Sequence, residues 1–169
     1  MQIESFSNQY KVLRLADQDV DEIYRLLSKN VLYYEYCPPF VTRDSIREDM
    51  GALPPEKDGR DKYYVGFYRN EKLIAVMDLI DGYPENDIAY IGFFMTDILR
   101  QNEGVGTAII EELCGYLAEQ GYRSVRLAWV KGNPQSEHFW MKNGFIRLRE
   151  TTSNAADEVI LAERILDTK

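Results

Sequence analysis

The sequence predicts an α/β (α+β) fold in which helices cover a mixed central sheet of about seven strands. Two observations favour this class. Helical and strand-like segments follow one another in the order β, α, α, three β, α, β, α, β, β. The chain also has 169 residues, 45% of them hydrophobic, which is enough to bury a substantial core. We therefore expect residues 1–169 to form one domain of ordinary size.

The first elements are a strand and two helices. "YKVLRLA" alternates between apolar and polar residues, which indicates a strand. Acidic residues at 17–21 suit the start of one helix over residues 20–36, whose apolar positions have helical spacing: Ile23, Leu26, Leu27 and Val31. After "CPPF", Thr42 and Asp44 predict the start of a second helix, which ends before Pro54.

Three strands and the clearest helix follow. "KYYVGFYRN" and "KLIAVMDLIDGY" are rich in β-branched and aromatic residues, and Asn70-Glu71 between them predicts a hairpin. "IAYIGFFMT" is almost continuously apolar, as expected for a strand covered on both faces. In "GVGTAIIEELCGYLAEQG" apolar residues recur every three or four positions, which predicts a helix ending at Gly121.

The last third of the chain predicts a strand, a helix and two more strands. "SVRLAWV" is a strand by its residue types. Asn133 is a good N-cap and Pro134 suits the first helical position, so a helix should run from there to Gly144. "FIRLRET" and "DEVILAERIL" complete the predicted sheet.

Composition limits the classes of partner. The formal net charge is −8, which disfavours binding to nucleic acid and can attract a cationic substrate. Cys37 and Cys114 form no motif with paired spacing, so we expect reduced thiols and a cytoplasmic protein. We read neither a signal peptide nor a membrane-spanning segment in the sequence, and so expect no membrane partner.

The segment "RQNEGVGTAI" contains the strongest candidate for an anion site. The first amides of a helix lack intrahelical partners, and the helix dipole favours an anion there. Gly104 and Gly106 would let a phosphate approach the backbone, and Arg100, Gln101 and Asn102 add donors. A tight strand-to-helix turn explains the glycines equally well, and Glu103 is unfavourable for an anion. A P-loop for ATP would need a lysine after the glycines, which is missing here.

Two spaced motifs carry a family resemblance. Gln101-x-x-Gly104-x-Gly106 resembles the acetyl-CoA signature of the GNAT acyltransferases, and it lies between the predicted fourth strand and the helix that follows. The family's next motif is matched one strand later by Asn133, Ser136, Trp140, Gly144 and Phe145. The resemblance implies a GNAT fold with about four helices, in which the fourth and fifth strands splay apart.

The resemblance also implies how acetyl-CoA would bind. The backbone of Phe94, Met95 and Thr96 would pair with the pantetheine arm like an added strand. Asn133 and Ser136 would contact the pantetheine, although Asn133 could equally be a plain helix cap. The pyrophosphate would be held by the amides of the loop and first helical turn: Gln101, Asn102, Gly104, Val105, Gly106 and Thr107.

The catalytic groups depart from the family pattern. Trp140 stands where many relatives place a tyrosine that protonates the leaving thiolate, and an indole N–H is a donor but a poor acid. The alternative is a core aromatic residue. Tyr90 stands eleven residues before Gln101, where some relatives place a glutamate base. The phenol of a tyrosine has a pKa of about 10, so it is a poor base unless the proton passes through a water molecule. Other candidate bases are Asp78, Glu85 and Asp87, each of which could be an ordinary turn or surface carboxylate.

The acceptor side is described by an aromatic segment. In similar proteins the first two helices border the acceptor cleft, and the segment that joins them here is "LYYEYCPPF". Its aromatic residues could line a pocket for a cation or could belong to the core: Tyr33, Tyr34, Tyr36 and Phe40. Tyr83-Pro84 could reach the same cleft, whereas His138 is expected at a solvated position.

The resemblance therefore implies an enzyme that transfers an acetyl group from acetyl-CoA to a primary amine by direct attack in a ternary complex. The expected acceptor is a small-molecule or peptide amine, which a cationic group would suit. No metal is expected, and dimers are common in the family. The alternative is a GNAT-fold module that binds acyl-CoA without catalysis.

Overall fold

The computed structural model describes residues 1–153 and 157–167. The end of the predicted domain at residue 169 lies outside the described residues. Seven strands form one sheet in the order β1-β2-β3-β4-β5-β7-β6, and β4 and β5 are its parallel neighbours. The predicted mixed sheet is therefore confirmed. The strands are β1 (Lys11–Arg14), β2 (Lys62–Arg69), β3 (Lys72–Ile80), β4 (Ile88–Thr96), β5 (Ser124–Val130), β6 (Ile146–Thr152) and β7 (Glu158–Ile165).

The described part of the chain contains five α-helices, one more than the sequence predicted. They are α1 (Val20–Leu27), α2 (Val31–Tyr36), α3 (Arg43–Gly51), α4 (Val105–Glu119) and α5 (Pro134–Lys142). The prediction of one helix over residues 20–36 is wrong, because Asn30 has a ψ of 60° and interrupts it. Val31, whose spacing in the sequence continues the apolar face, is 54% exposed.

Helices cover both faces of the sheet. On one face α4 packs its apolar side into the main core, and every residue of its predicted stripe is buried: Val105, Ile109, Ile110, Leu113, Cys114 and Leu117. On the other face α1 and α3 cover a second core that includes Ile23, Ile46 and Val76. The cavity between β4 and β5 is bordered by residues of both layers.

Local signals in the sequence set several of the element boundaries. Asn70 and Glu71 have φ values of 50° and 63°, as a tight hairpin turn between twisted strands requires. The Thr42 hydroxyl accepts from the Ser45 amide at 3.0 Å, which caps α3. Asn133 caps α5 in the same way, as predicted. Gly121, with φ 88°, follows the end of α4.

The fourth and fifth strands separate along their length, as the resemblance implied. They pair over four residues only, from Ile88 opposite Ser124 to Ile91 opposite Leu127. Beyond Ile91 the other edge of β4 stays bonded to β3 as far as Thr96. A bulge in that ladder leaves Gly92 without a partner residue in the described pairing. The edge of β4 that faces β5 is therefore open over residues 92–96.

We expect truncation of the α4 stripe to destabilise the fold strongly. Leu113 is fully buried, so Leu113→Ala should lower the free energy of unfolding by about 2–5 kcal/mol through lost burial and the cavity left behind. Leu99→Ala makes the same change at a side chain that is 65% exposed and should cost less than about 0.5 kcal/mol. Urea unfolding measures both, and equal losses would contradict the assigned core.

Candidate active site

A cavity of about 110 Å³ opens where β4 and β5 part. Because the strands no longer pair there, side chains from α2, α5 and β7 complete its wall. The lining residues are Tyr33, Cys37, Ile91, Gly92, Phe93, Phe94, Leu127, Ala128, Trp129, Val130, Ser136, Trp140 and Val159. Of the residues that the sequence singled out for binding or catalysis, four therefore meet at one cavity: Tyr33, Phe94, Ser136 and Trp140.

Trp140 is both a wall of this cavity and part of the core. It is 8% exposed. Its ring centroid lies 4.8 Å from that of Phe139, 5.2 Å from that of Phe145 and 6.0 Å from that of Phe94. Aromatic packing of this kind fixes the indole in place. The core interpretation and the site interpretation of Trp140 are thus compatible.

Asn133 has a polar group left over after it caps α5. Its side chain is buried, and its Oδ1 accepts from the Ser136 amide at 3.2 Å. Its Nδ2 is buried with no hydrogen-bond partner among the residues that the structure describes. A buried unpaired donor is costly, and this one lies behind the cavity wall, since Ser136 is in the described lining and Asn133 is not.

The two glycines before α4 have different structural roles. Gly104 is the N-cap in the left-handed region with φ 78°, and a Cβ there would meet no described atom within 4 Å. A side chain at this position would therefore extend into open space. A Cβ on Gly106 would lie 3.0 Å from Phe139 Cε2 and 3.5 Å from Thr96 Cγ2. The second glycine thus permits close packing of α4 against α5 and β4.

The side chain of Gln101 joins three elements. Its Nε2 donates to Asn30 Oδ1 at 2.8 Å, and its Oε1 accepts from Gln135 Nε2 at 3.3 Å. Asn30 itself is buried between α1 and α2. Sequence reasoning missed Asn30, because a contact across 71 residues leaves no local signal. In the same loop Arg100 lies 3.7 Å from Glu103, which offsets that unfavourable carboxylate.

Tyr90 lies next to the cavity and is absent from its described lining. Its ring makes an edge contact with Tyr83 at 5.5 Å between centroids. Burial, and to a lesser extent Tyr83, raises the pKa of Tyr90 above its ordinary value. A higher pKa makes the neutral phenol harder to ionise, so this environment does not help Tyr90 to act as a base.

Three further candidates from the sequence lie outside the described cavity wall. Glu85 and Asp87 each lie 2.9 Å from the guanidinium of Arg123, in exposed ion pairs. His138 is exposed on α5, as expected. Glu85 and Asp87 thus have an ordinary structural role at the surface.

Asp78 on β3 is also absent from the described lining, but its environment differs from that of Glu85 and Asp87. Its side chain is 15% exposed, and its Oδ2 lies 2.9 Å from Nζ of Lys62, which is 5% exposed. Lys62 also donates to the carbonyl of Ala52 at 2.6 Å. Burial raises the pKa of Asp78 above its ordinary value, although the ammonium of Lys62 acts in the opposite direction. The sequence named Asp78 as one of three carboxylates but gave no reason to separate it from the others.

The aromatic segment contributes two residues to the cavity wall, Tyr33 and Cys37. Tyr33 lines it and makes edge contacts with Tyr34 at 5.0 Å and Phe93 at 6.0 Å. Burial raises the pKa of the Tyr33 phenol, which therefore stays neutral. Phe40 packs 5.3 Å from Tyr34 and remains 45% exposed. Tyr33 thus has the site position that was expected for the segment, whereas Tyr34 and Phe40 form a neighbouring aromatic pair.

Two kinds of feature are absent from residues 1–153 and 157–167. No helix there is long and apolar enough to cross a bilayer. No group of three or more His, Cys, Asp and Glu side chains in these ranges is placed to hold a metal ion.

The open edge of β4, beside the N-terminus of α4, defines a class of α/β protein that can receive an extended ligand by strand addition and an anion at a helix end. Comparison with known families is specific. The family model described as "Acetyltransferase (GNAT) family" matches residues 21–145. The chain therefore belongs to the GNAT acetyltransferase family.

Solved structures share the fold over nearly the whole chain. An acetyltransferase from Thermus thermophilus has a TM-score of 0.75 at 17% identity, covering 98% of this chain and 100% of its own. Spermidine N-acetyltransferase from Vibrio cholerae, in complex with CoA and spermine, has a TM-score of 0.67 at 16% identity, covering 96% and 98%. PaiA N-acetyltransferase from Thermoplasma acidophilum, in complex with coenzyme A, has a TM-score of 0.64 at 14% identity, covering 92% and 98%. No curated protein sequence matches the chain.

The Lys62–Asp78 pair gives a pH-dependent prediction. Lys62→Met leaves Asp78 buried without its cation and should cost about 3 kcal/mol of unfolding free energy at about pH 8. The pKa of Asp78 in the folded protein is already raised, and the variant raises it further. A raised carboxyl pKa gives stability that is present at low pH and lost as pH rises through the folded value. The loss should therefore be smaller at about pH 5 than at about pH 8.

Urea unfolding of Lys62→Met and wild type at the two pH values measures this difference. Lys131→Met is the matched control, because Lys131 lies 2.9 Å from Glu150 in an exposed pair and should contribute less than about 1 kcal/mol. A loss in Lys62→Met that is the same at both pH values would show that the charge of Asp78 is not its cause.

Proposed function

We propose that this protein is an N-acetyltransferase that moves the acetyl group of acetyl-CoA to a primary amine of a small molecule or peptide. The observation that carries the proposal is the open edge of β4 over residues 92–96, beside the N-terminus of α4, whose first amides have no intrahelical partners, in a chain of the GNAT family. The amine would attack the thioester directly while both substrates are bound. Holding them side by side supplies much of the acceleration.

Features on both sides of the cleft fit acetyl-CoA. The backbone of Phe94, Met95 and Thr96 has its free edge toward the gap and would pair with the pantetheine amides. The buried Nδ2 of Asn133 would donate to a pantetheine oxygen, with Ser136 beside it. The amides at the start of α4 would hold the pyrophosphate: Gln101, Asn102, Gly104, Val105, Gly106 and Thr107. Two similar proteins were solved with CoA bound, which supports the same use of the fold here.

The catalytic assignments stay predictions. Trp140 would pack against the sulfur end and donate a hydrogen bond to it, because an indole does not supply a proton at neutral pH. A thiolate with an ordinary pKa near about 8.5 can leave without a strong acid. Tyr90 would act as the base only through a water relay. Tyr90→Phe and Trp140→Phe test the two roles by their effect on kcat.

The acceptor is proposed to be a cationic amine. The net charge of −8 and the carboxylate of Asp78 near the cavity favour such a substrate. One similar protein was solved with spermine, a polyamine, which is consistent with this charge preference. We further propose one domain over residues 1–169, a cytoplasmic location in keeping with the two free cysteines, and a homodimer.

An acetyl-CoA turnover screen tests the proposed function. We expect release of free CoA with at least one amine from a panel of polyamines, aminoglycosides, amino acids and peptide N-termini. Each reaction is compared with the same mixture lacking the amine, so that plain hydrolysis is subtracted. Tight binding of acetyl-CoA without turnover on any amine would favour the alternative, a non-catalytic acyl-CoA-binding module.

Substitution of Gly104 tests the phosphate site. Gly104→Glu places a side chain and a negative charge at the start of α4, so CoA affinity by calorimetry should fall at least about 100-fold. Part of that loss would come from backbone strain, because Gly104 has φ 78°. Gly104→Asn tolerates this region without adding charge and should bind CoA more tightly than the Glu variant.

The matched control for Gly104→Glu is Gly115→Glu. Gly115 is exposed on the same helix, and a Cβ there meets no described atom within 4 Å. This variant adds the same charge away from the proposed phosphate site and should bind CoA as wild type does. Unchanged affinity in Gly104→Glu would refute the site.

A further inference from the structure

We propose that Asp78, held in place by Lys62, is the catalytic base that takes a proton from the acceptor amine. The inference rests on the proposed acetyl transfer and names the group on this chain that completes it. It also moves the base from β4, where the family resemblance pointed to Tyr90, to the neighbouring strand β3.

The β4 bulge brings Asp78 to the cavity. Across the β3–β4 ladder Asp78 pairs with Phe93 and Leu79 pairs with Ile91, which leaves Gly92 between them. A Cβ built on Gly92 would lie 2.8 Å from Oδ2 of Asp78. Gly92 lines the cavity, so the carboxylate occupies the space that a side chain at this β4 position would take. Asp78 is itself absent from the described lining, so its carboxylate lies directly behind the wall at Gly92, where the absence of a side chain leaves it within reach of the cavity.

The two oxygens of Asp78 differ in what they bind. Oδ2 accepts from Nζ of Lys62 at 2.9 Å. Oδ1 is buried and accepts no hydrogen bond from any described residue. A buried carboxylate oxygen without a donor is unfavourable, which favours the protonated form of the carboxyl. Oδ2 is the oxygen on the Gly92 side, whereas Oδ1 is not among the three atoms nearest to a Cβ built there. A carboxylate oxygen has more than one lone pair, so Oδ2 can accept a proton from the cavity side while it is bonded to Lys62.

Lys62 positions the carboxylate. It is 5% exposed and donates to both Asp78 and the carbonyl of Ala52, so two hydrogen bonds fix its ammonium. Other ionisable groups in this part of the cleft are Asp49 on α3, Tyr64 on β2 and Tyr34 on α2, besides Tyr33 and Cys37 in the cavity wall. Partial burial and then the charge of Asp78 raise the pKa of Asp49. Burial first, and then Asp49, raises the pKa values of Tyr34 and Tyr64, so both phenols stay neutral.

The charge balance of this group suits a base that works near neutral pH. Lys62 is the one cation among these ionisable groups of the described cleft. It forms an ion pair with Asp78, and its charge also acts to lower the pKa of Asp49. Burial raises the pKa of Asp78 against the opposing effect of Lys62, which brings the carboxyl closer to the working pH. An incoming ammonium would restore neutrality.

The proposed proton transfers balance. The carboxylate of Asp78 takes one proton from the ammonium, which frees the nitrogen lone pair. The nitrogen then bonds to the thioester carbonyl carbon, and the C–S bond breaks with its electron pair going to sulfur. The second proton lost by the nitrogen neutralises that sulfur as CoASH. Asp78 finally releases its own proton to water.

Asp78→Asn is the first test. With the accepted amine at about pH 7.5, kcat should fall about 100-fold while acetyl-CoA affinity by calorimetry stays near that of wild type. Asp78→Glu restores a carboxylate and should recover part of the rate. Asp44→Asn, the same change at an exposed position on α3, is the control and should leave kcat unchanged. Thermal unfolding of each variant is recorded with the kinetics.

A second measurement separates base catalysis from a structural role. An analogue of the accepted amine with fluorine atoms on the carbon β to the nitrogen has a lower amine pKa. It reaches the site largely unprotonated. The defect of Asp78→Asn should then shrink to less than about tenfold, because no base is needed. An equal defect with both amines would assign Asp78 a structural role and overturn the proposal.

Lys62→Gln provides a test that keeps Asp78 intact. Loss of the ammonium removes the influence that lowers the pKa of Asp78, so the acidic limb of kcat/KM should move to higher pH. An unmoved limb would contradict the proposal even if Asp78→Asn fails to fold.

The outcomes distinguish this inference from the proposed function. No transfer by wild type to any amine refutes the proposed function and this assignment together. Transfer by wild type with Asp78→Asn within about twofold of it refutes the assignment alone. A collapse of kcat in Tyr90→Phe with Asp78→Asn unaffected would return the role to Tyr90.

Discussion

The early end of pairing between β4 and β5 is the constraint on which the rest of the site depends. Backbone amides and carbonyls are obligatory hydrogen-bonding groups, and a strand that parts from its neighbour leaves a row of them without partners. Here the ladder stops after Ile91, although β4 continues to Thr96 and remains bonded to β3. The open edge costs free energy unless water or a ligand pairs with it. A strand-like ligand is the natural partner.

Packing, rather than hydrogen bonding, holds the two strands apart. The aromatic rings of Phe94, Phe139 and Trp140 lie within 6.0 Å of each other at the gap, and Gly106 lets Phe139 approach α4 closely. Closing the gap would require the buried ring of Trp140 and the partly buried rings of Phe94 and Phe139 to leave their places. The same cluster therefore fixes the cleft width and joins α4 and α5, which the two sequence motifs mark separately.

Sequence reasoning succeeded where the signal is local. Apolar periodicity located α4, and single residues such as Asn133 and Gly121 located helix ends. It failed at Asn30, because the apolar spacing of α1 continues in the sequence beyond the point where the helix ends. Asn30 interrupts the helix there and accepts a hydrogen bond from Gln101, which is distant in sequence. It did not single out Asp78, since the proximity of its carboxylate to the cavity depends on a bulge opposite Gly92. No local pattern predicts the register of two strands at one residue.

The charge distribution resolves how an acidic protein can be proposed to bind a polyanion. At the start of α4 the proposed donor groups are backbone amides, which attract an anion through partial charges and leave the net charge unchanged. On the other face of the sheet lie the carboxyl groups of Asp78 and Asp49 and the ammonium of Lys62. Lysine or arginine side chains at the CoA site, in place of backbone amides, would put full positive charges close to these carboxylates. Such charges would weaken the attraction of the carboxylates for an ammonium. Backbone recognition of the donor thus leaves the acceptor cleft free to be negative, and β4, with a glycine at its bulge, is the shared wall between the two.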